Sequence, residues 1–209
     1  MANALLILTL LMPLAAPVDI FSAVPYAMRE LDLHPYLHDE PFYLWPVNEY
    51  PKLSQSPHYG GGIDIPILKG TPLLAVKSGV VIYVGDLPDT GYTVILLTGE
   101  SKAVIYGHLS KFSVNIYDVV AQGDLIGLSG GYPGEPGAGR TSGPHLHFQI
   151  LGWENNQLVL LNTNMELFGV TWVDVGVLVP ERLAQLVKGS SLVKPVIYAK
   201  TNRILILPE

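Results

Sequence analysis

Short apolar runs, separated by glycine, proline and aspartate, fill the middle of the chain. They lie at Thr71–Val76, Gly79–Val84, Tyr92–Leu97 and Ala103–His108, and a turn is predicted at Gly85–Gly91. Runs of this length that are rich in β-branched and aromatic residues, and are bounded by turn formers, are typical of antiparallel strands. The pattern therefore predicts a mainly β fold, a compact antiparallel β-sheet domain with short helices.

The segments that flank these runs have a different character. Residues 25–57 are irregular and rich in proline, tyrosine and acidic residues, with a short helix predicted at Ala27–Leu31. In the tail, a helix is predicted at Pro180–Val187, because a proline followed by a glutamate is typical of a helix start. The tail also has four predicted strands, Leu158–Leu161, Val170–Val175, Val196–Ala199 and Ile204–Leu207. We divide the chain into an apolar segment (1–24), a lead-in (25–57), a β domain (58–150) and a C-terminal extension (151–209).

Residues 4–18 form an apolar stretch near the start of the sequence. Its length of about 15 residues is shorter than the roughly 20 that a membrane-spanning helix needs, and suits the apolar region of a signal peptide. However, no lysine or arginine precedes Arg29, and Pro13 and Pro17 would interrupt a helix. Three interpretations stay open: a retained segment that contacts a membrane or partner, a signal peptide, and an ordinary core element.

Composition narrows the possible functions. Hydrophobic residues make up 49% of the chain and charged residues 14%, which excludes general disorder. The net charge of −6 argues against a nucleic-acid-binding protein, because such proteins usually carry a basic surface. The chain has no cysteine, so any metal ion must be held by histidine and carboxylate groups.

Two histidines follow a glycine-rich stretch, Gly130–Gly143, that is predicted to be a mobile loop. His145 and His147 stand in the strand-like run Pro144–Ile150. Alternation of side chains in a strand places both imidazoles and Gln149 on one face, and the apolar residues of the run on the other. The pair suggests a metal or catalytic surface, although a His-x-His pair alone is a weak signal.

The other histidines have simple structural interpretations when each is taken alone. The five residues between His58 and Asp64 include three glycines, which would have to fold the chain back before both could bind one ion. His108 ends an apolar strand and is either a core histidine or a site residue. His34 and His38, spaced as a possible ligand pair, are better explained by a polar surface loop.

Taken in order, several short blocks resemble the lysostaphin/LytM-type zinc metalloendopeptidases, which cut peptide bonds in bacterial peptidoglycan. The resemblance extends over about residues 58–150 and includes Ser142-Gly-Pro-His-Leu-His-Phe148, which is close to diagnostic. The other blocks are Gly62-Ile-Asp-Ile65, Gly70-Thr-Pro-Leu-Leu-Ala-Val76, Tyr106-Gly-His-Leu-Ser110 and Val120-Ala-Gln-Gly-Asp-Leu-Ile-Gly127.

The resemblance implies an antiparallel β domain with a substrate groove. It implies one Zn²⁺ per chain, held by His58, Asp64 and His147, with His108 and His145 as catalytic residues that assist a zinc-activated water. The implied substrate is a peptidoglycan peptide. The implied location is the extracytoplasmic cell envelope or a virion, where residues 4–18 would contact a membrane or virion partner.

One feature departs from the family pattern. The family usually spaces its first pair as His-x-x-x-Asp, but the residue four before Asp64 is Gly60, and His58 lies two residues earlier. Either the glycines absorb a two-residue insertion, or one zinc ligand is lost. No other histidine is close in the sequence, although His34 or His38 could fold in to replace it. An inactive relative that acts as a cell-wall-binding, structural or activating module is therefore the alternative. A virion-associated lysin and a bacterial envelope enzyme both fit the enzyme interpretation.

Overall fold

The structure is a computed structural model that describes residues 43–48, 52–54, 61–99, 101–154, 157–168, 176–177, 193–198 and 203–208. These ranges contain fifteen strands and one α-helix, and most of these elements are short. They are β1 (Tyr43–Leu44), β2 (Lys52–Leu53), β3 (Ile63–Ile65), β4 (Pro72–Leu74), β5 (Gly79–Leu87), β6 (Gly91–Thr98), β7 (Lys102–Gly107), β8 (Leu109–Phe112), β9 (Val119–Val120), β10 (Leu125–Ser129), β11 (Leu146–Glu154), β12 (Gln157–Leu160), α1 (Thr163–Phe168), β13 (Gly176–Val177), β14 (Val193–Tyr198) and β15 (Arg203–Pro208).

The main sheet has seven strands and is antiparallel throughout. Its order is β12-β11-β7-β6-β5-β9, and β3 pairs with the first half of β11 on the edge that β12 covers further along. A second sheet, β4-β10-β8, is also antiparallel. The predicted mainly antiparallel β fold is thus confirmed in the described part of the chain.

Continuous apolar runs explain why the middle strands are buried. β6 carries Val94, Ile95, Leu96 and Leu97, all at most 1% exposed, so both faces of this strand are covered. β11 has Leu146, Phe148 and Ile150 completely buried in the core, in agreement with the predicted apolar face of this strand. The same alternation turns the intervening polar residues of β11 to the opposite face.

The described tail is joined to this core by short contacts. β15 pairs with β1 and β14, and β13 pairs with β2. Helix α1 is held at β11, where the Thr163 hydroxyl accepts a hydrogen bond from the Ile150 amide at 3.1 Å. Lys102 of β7 forms a half-buried ion pair with Glu166 of α1, with nitrogen and oxygen 2.7 Å apart.

Several predicted elements are confirmed and others are corrected. The strands predicted from Gly79, Tyr92, Leu158, Val196 and Ile204 are present with shifted ends. The strand predicted over 71–76 is shorter, since only Pro72–Leu74 pairs with β10. The predicted turn over 85–91 is shorter too, because pairing with β6 continues along β5 to Leu87. β8 and α1 were not predicted from the sequence.

Other predictions fall outside the described residues. These are the helices predicted over 27–31 and 180–187, the strand predicted over 170–175, and the apolar segment 4–18. The described residues include no helix that is long and apolar enough to cross a membrane.

Candidate functional site

The pairing of β3 with β11 places a carboxylate beside an imidazole. Asp64 is the direct partner of His147 in the register of these two strands. Its Oδ1 lies 3.2 Å from Nδ1 of His147, and both residues are more than nine-tenths buried. Buried charges require partners, so this pair is either an ion pair or half of a cation site.

His145 lies one step before β11 and points toward the same carboxylate. Its Nδ1 is 2.8 Å from the carbonyl oxygen of Gly143. Because a carbonyl oxygen only accepts hydrogen bonds, this nitrogen carries a hydrogen. The other ring nitrogen, Nε2, is 3.6 Å from Oδ1 of Asp64. His145 therefore directs Nε2 into the space beside Asp64.

His108 occupies the position just after β7, where the chain leaves the sheet. Its φ of 58° is in the left-handed region, which is uncommon for a residue with a side chain and explains why the predicted strand 103–108 ends at Gly107. Its backbone amide donates to the carbonyl of Thr90 at 2.6 Å. Its ring contacts His145, with centroids 4.5 Å apart, and lies 6.1 Å from the ring of His147.

A backbone carbonyl determines which nitrogen of His108 carries the hydrogen. Nδ1 of His108 is 2.7 Å from the carbonyl oxygen of Ala138, so Nδ1 is the donor and Nε2 has the free lone pair in the neutral ring. Burial, followed by the positive charges that His145 and His147 can carry, lowers the pKa of His108 to about 4. His108 is therefore a neutral proton acceptor at neutral pH.

The glycine-rich segment 130–143 supplies that carbonyl and is attached to the β5–β6 turn. The amide of Tyr92 donates to Gly137, and the amide of Arg140 donates to Asp89. The Arg140 and Asp89 side chains also form an exposed ion pair, with nitrogen and oxygen 3.1 Å apart. Ala138 itself is 3% exposed. These contacts position the loop beside His108, and its mobility stays a prediction.

The donor set around Asp64 fits zinc. Ligand atoms about 2.0–2.2 Å from a tetrahedral zinc ion lie roughly 3.3–3.6 Å from one another. The 3.2 Å between Asp64 Oδ1 and His147 Nδ1 is close to this range. The part of the chain that the structure describes contains no group of three histidine or acidic side chains that could hold a metal ion by itself. The described residues thus supply two candidate zinc ligands, Asp64 and His147.

The structure brings together four of the five predicted site residues, Asp64, His108, His145 and His147. His58 lies outside the described residues, as do the alternative ligands His34 and His38. The sequence analysis did not single out Ala138, because nothing in a glycine-rich segment indicates which carbonyl will contact a residue thirty positions away.

Thr141 and Gln149 also contact the site histidines, and neither was predicted as a site residue. The Thr141 hydroxyl bonds the Gly143 carbonyl at 2.7 Å and lies 3.3 Å from Nδ1 of His145. Oε1 of Gln149 lies 3.4 Å from Nε2 of His147. For Gln149 a signal existed, since strand alternation places it on the same face as the two histidines.

A carboxylate and three imidazoles close together are groups that can bind a metal ion and transfer protons. Comparison with known families makes the class specific. Residues 57–159, just under half of the chain, match the model of Peptidase family M23.

Relatives with known names agree with this assignment. The chain is 36% identical over 96 residues to the peptidoglycan DD-endopeptidase ShyA of Vibrio cholerae, and 38% identical over 95 residues to lysostaphin of Staphylococcus staphylolyticus. These matches cover 46% and 44% of this chain, but only 20% and 18% of the two relatives. The chain thus matches about a fifth of the length of these relatives.

Two solved structures are similar to the chain. A zinc-containing peptidase from Vibrio cholerae has 27% identity and a TM-score of 0.49, covering 58% of this chain and 39% of that one. Lysostaphin from Staphylococcus simulans has 28% identity and a TM-score of 0.47, covering 58% and 51%.

Proposed function

We propose that this protein is a zinc-dependent endopeptidase that hydrolyses peptide bonds in bacterial peptidoglycan. The observation that carries the proposal is the convergence of Asp64, His147, His145 and His108 within one buried cluster. The similarity to an endopeptidase of peptidoglycan and to lysostaphin supports the substrate class. Peptidoglycan lies outside the cytoplasmic membrane, so we place the protein in the cell envelope or on a virion.

Asp64 and His147 would hold the zinc ion, and His58 is the proposed third protein ligand. Three protein ligands are the usual set of a catalytic zinc site, because they leave one position open. Bound zinc would supply Lewis acidity that activates water and polarises a carbonyl. Asp64 contributes the negative charge that offsets part of the charge of the ion.

His108 is suited to take a proton. Its Nδ1–H is committed to Ala138, and burial keeps the ring neutral, so Nε2 is available as a general base. His145 has the complementary arrangement, with Nδ1–H committed to Gly143 and Nε2 beside Asp64. When protonated, His145 would donate from Nε2 to the negative charge that develops on the substrate oxygen. We therefore assign the base to His108 and the electrostatic role to His145.

Zinc analysis and digestion of purified peptidoglycan test the proposal together. The wild-type protein should contain about one zinc per chain and release soluble peptides, detected by new amino termini and mass spectrometry. The His108→Ala variant should retain zinc and lose hydrolysis. Zinc without hydrolysis in the wild type would contradict the enzyme and favour the inactive binding module.

The His58→Ala variant tests the third ligand. We expect this variant to lose zinc during mild dialysis, because two protein ligands alone bind zinc weakly. Zinc retained in this variant would transfer the ligand role to another residue, with His34 and His38 as the first candidates. No zinc in the wild type would show that the altered spacing has removed the site.

A further inference from the structure

His147 lies between two hydrogen-bond acceptors. Oδ1 of Asp64 is 3.2 Å from its Nδ1, and Oε1 of Gln149 is 3.4 Å from its Nε2. Gln149 follows His147 by two residues on the same face of β11 and is 7% exposed. Both nitrogens of this ring therefore have an oxygen acceptor as their neighbour.

A neutral imidazole cannot satisfy both acceptors. It has one N–H, so one nitrogen must direct its lone pair at an oxygen. If Nε2–H donates to Gln149, the lone pair of Nδ1 faces the Asp64 carboxylate. A cation between Nδ1 and Oδ1 turns this repulsion into attraction for both groups. The amide oxygen of Gln149 thus favours the tautomer that a metal ion at Nδ1 requires.

Gly62 keeps the imidazole in this position from the side of β3. A Cβ atom at Gly62 would lie 2.8 Å from Cε1 of His147 and 3.5 Å from Cβ of Gln149. The backbone at Gly62 therefore packs against both side chains. The ring therefore cannot move toward Gly62 without meeting its backbone.

We propose that Gln149 is a positioning residue that holds His147 as the Nε2–H tautomer, so that Nδ1 is the zinc-binding atom. The inference rests on the proposed function, since it assumes that zinc binds at Asp64 and His147. Histidine ligands usually donate their second N–H to an oxygen, and loss of this partner typically lowers metal affinity about 10–100-fold.

Zn²⁺ titration of the metal-free full-length protein, in competition with a chromophoric chelator, tests the role of Gln149. Gln149→Leu retains a similar volume but removes the acceptor, and should weaken Zn²⁺ binding about 10–100-fold. Gln149→Glu restores an oxygen acceptor and should bind Zn²⁺ at least as tightly as the wild type. The matched control is Gln122→Leu, which removes a side-chain amide that donates to the Val76 carbonyl at 2.9 Å; its affinity should equal that of the wild type.

A tautomer measurement separates positioning from simple packing. In ¹⁵N-edited NMR spectra of the zinc-loaded wild type, His147 should show a proton on Nε2 and none on Nδ1. When both proteins are metal-free, the share of the Nε2–H tautomer should be smaller in Gln149→Leu than in the wild type, whereas a packing role would leave that share equal. The metal-free Gln149→Glu variant should retain the wild-type share, which also covers the case in which the leucine variant folds poorly.

The outcomes separate this inference from the proposed function. Equal Zn²⁺ affinity of the wild type and Gln149→Leu, or a glutamate variant as weak as the leucine variant, would overturn the role of Gln149 alone. Zinc binding through Nδ1 without peptidoglycan hydrolysis would overturn the proposed function and leave the role of Gln149 intact. A wild-type protein that binds no Zn²⁺ would overturn both.

Discussion

Asp64 and His147 face each other directly across the antiparallel pair of β3 and β11, with Oδ1 and Nδ1 3.2 Å apart. A slip of one residue in this pairing would turn the side chains of one strand to the opposite face. The apolar neighbours prevent such a slip, because Ile63 and Ile65 are at most 1% exposed and would be forced toward the polar face. Core packing thus determines the geometry of the site.

Replacing Asp64 with asparagine should abolish zinc binding with little change in shape. The amide removes the negative charge beside His147, so Zn²⁺ affinity should fall by more than the roughly 10–100-fold that loss of an outer-sphere partner costs. Peptidoglycan hydrolysis should fall to background. Elemental analysis and peptide release measure the two effects. The exposed Asp86→Asn variant is the control, and zinc retained by Asp64→Asn would refute the assigned ligand.

The sequence predicts contacts within one strand of this site, but not contacts between residues that are far apart in the chain. Alternation along one strand was sufficient to place His145, His147 and Gln149 on one face, opposite the buried Phe148. Residue types and their order suggested Asp64 and His108. No local pattern could place Asp64 opposite His147, since that contact joins residues 83 positions apart.

The left-handed backbone of His108 was also beyond prediction. Most residues with side chains avoid this conformation, so an apolar run that ends in histidine is predicted as a strand up to its last residue. The conformation is maintained by two contacts with distant segments, from the backbone amide to Thr90 and from the ring to Ala138. Helix α1 was missed for another reason, because six residues are too few for a helical period to stand out.

Acid should destabilise the metal-free protein through His108. Burial lowers the pKa of this ring from 6.5 to about 4, so the unfolded chain binds a proton more readily than the folded chain. The contribution is fully present above pH 6.5 and is lost as the pH falls toward 4. The difference of 6.5 − 4 = 2.5 pKa units corresponds to at most about 3 kcal/mol.

Urea unfolding of chelator-treated protein between pH 7.5 and pH 4 measures this effect. His108→Asn is the comparison, because asparagine tolerates the left-handed backbone and does not titrate in this range. The free energy of unfolding should fall more steeply with acid in the wild type than in the variant. Parallel curves for the two proteins would show that His108 is not held neutral by the fold.

Gly139→Ala should slow hydrolysis without removing zinc. Gly139 has a φ of 60°, and a Cβ there would overlap the backbone of Gly91 and Asp89. The loop would have to move, and the Ala138 carbonyl would leave Nδ1 of His108. Loss of this orientation should lower kcat at least about 10-fold, which is less than the roughly 10²–10⁴-fold that a general base contributes.

Gly134→Ala is the matched control for this prediction. Gly134 is in the same loop with a φ of 83°, but a Cβ there would meet nothing within 4 Å. Both alanines carry a backbone cost of about 1 kcal/mol, so only the collision differs between the variants. Steady-state peptide release and zinc content should therefore separate them, and equal kcat values would exclude the loop as the support of His108.

Gly62→Ala should weaken zinc binding by displacing His147. Gly62 is not in the left-handed region, so the backbone accepts alanine there. The added Cβ would lie 2.8 Å from Cε1 of His147, and the ring must shift because close carbon contacts need about 3.5 Å. Gly70→Ala is the control: a Cβ there meets nothing within 4 Å, although a φ of 87° makes alanine costly. Chelator competition should show weaker Zn²⁺ binding for Gly62→Ala and wild-type affinity for Gly70→Ala. The reverse order would mean that stability of the fold, and not the position of the imidazole, controls the affinity of this site.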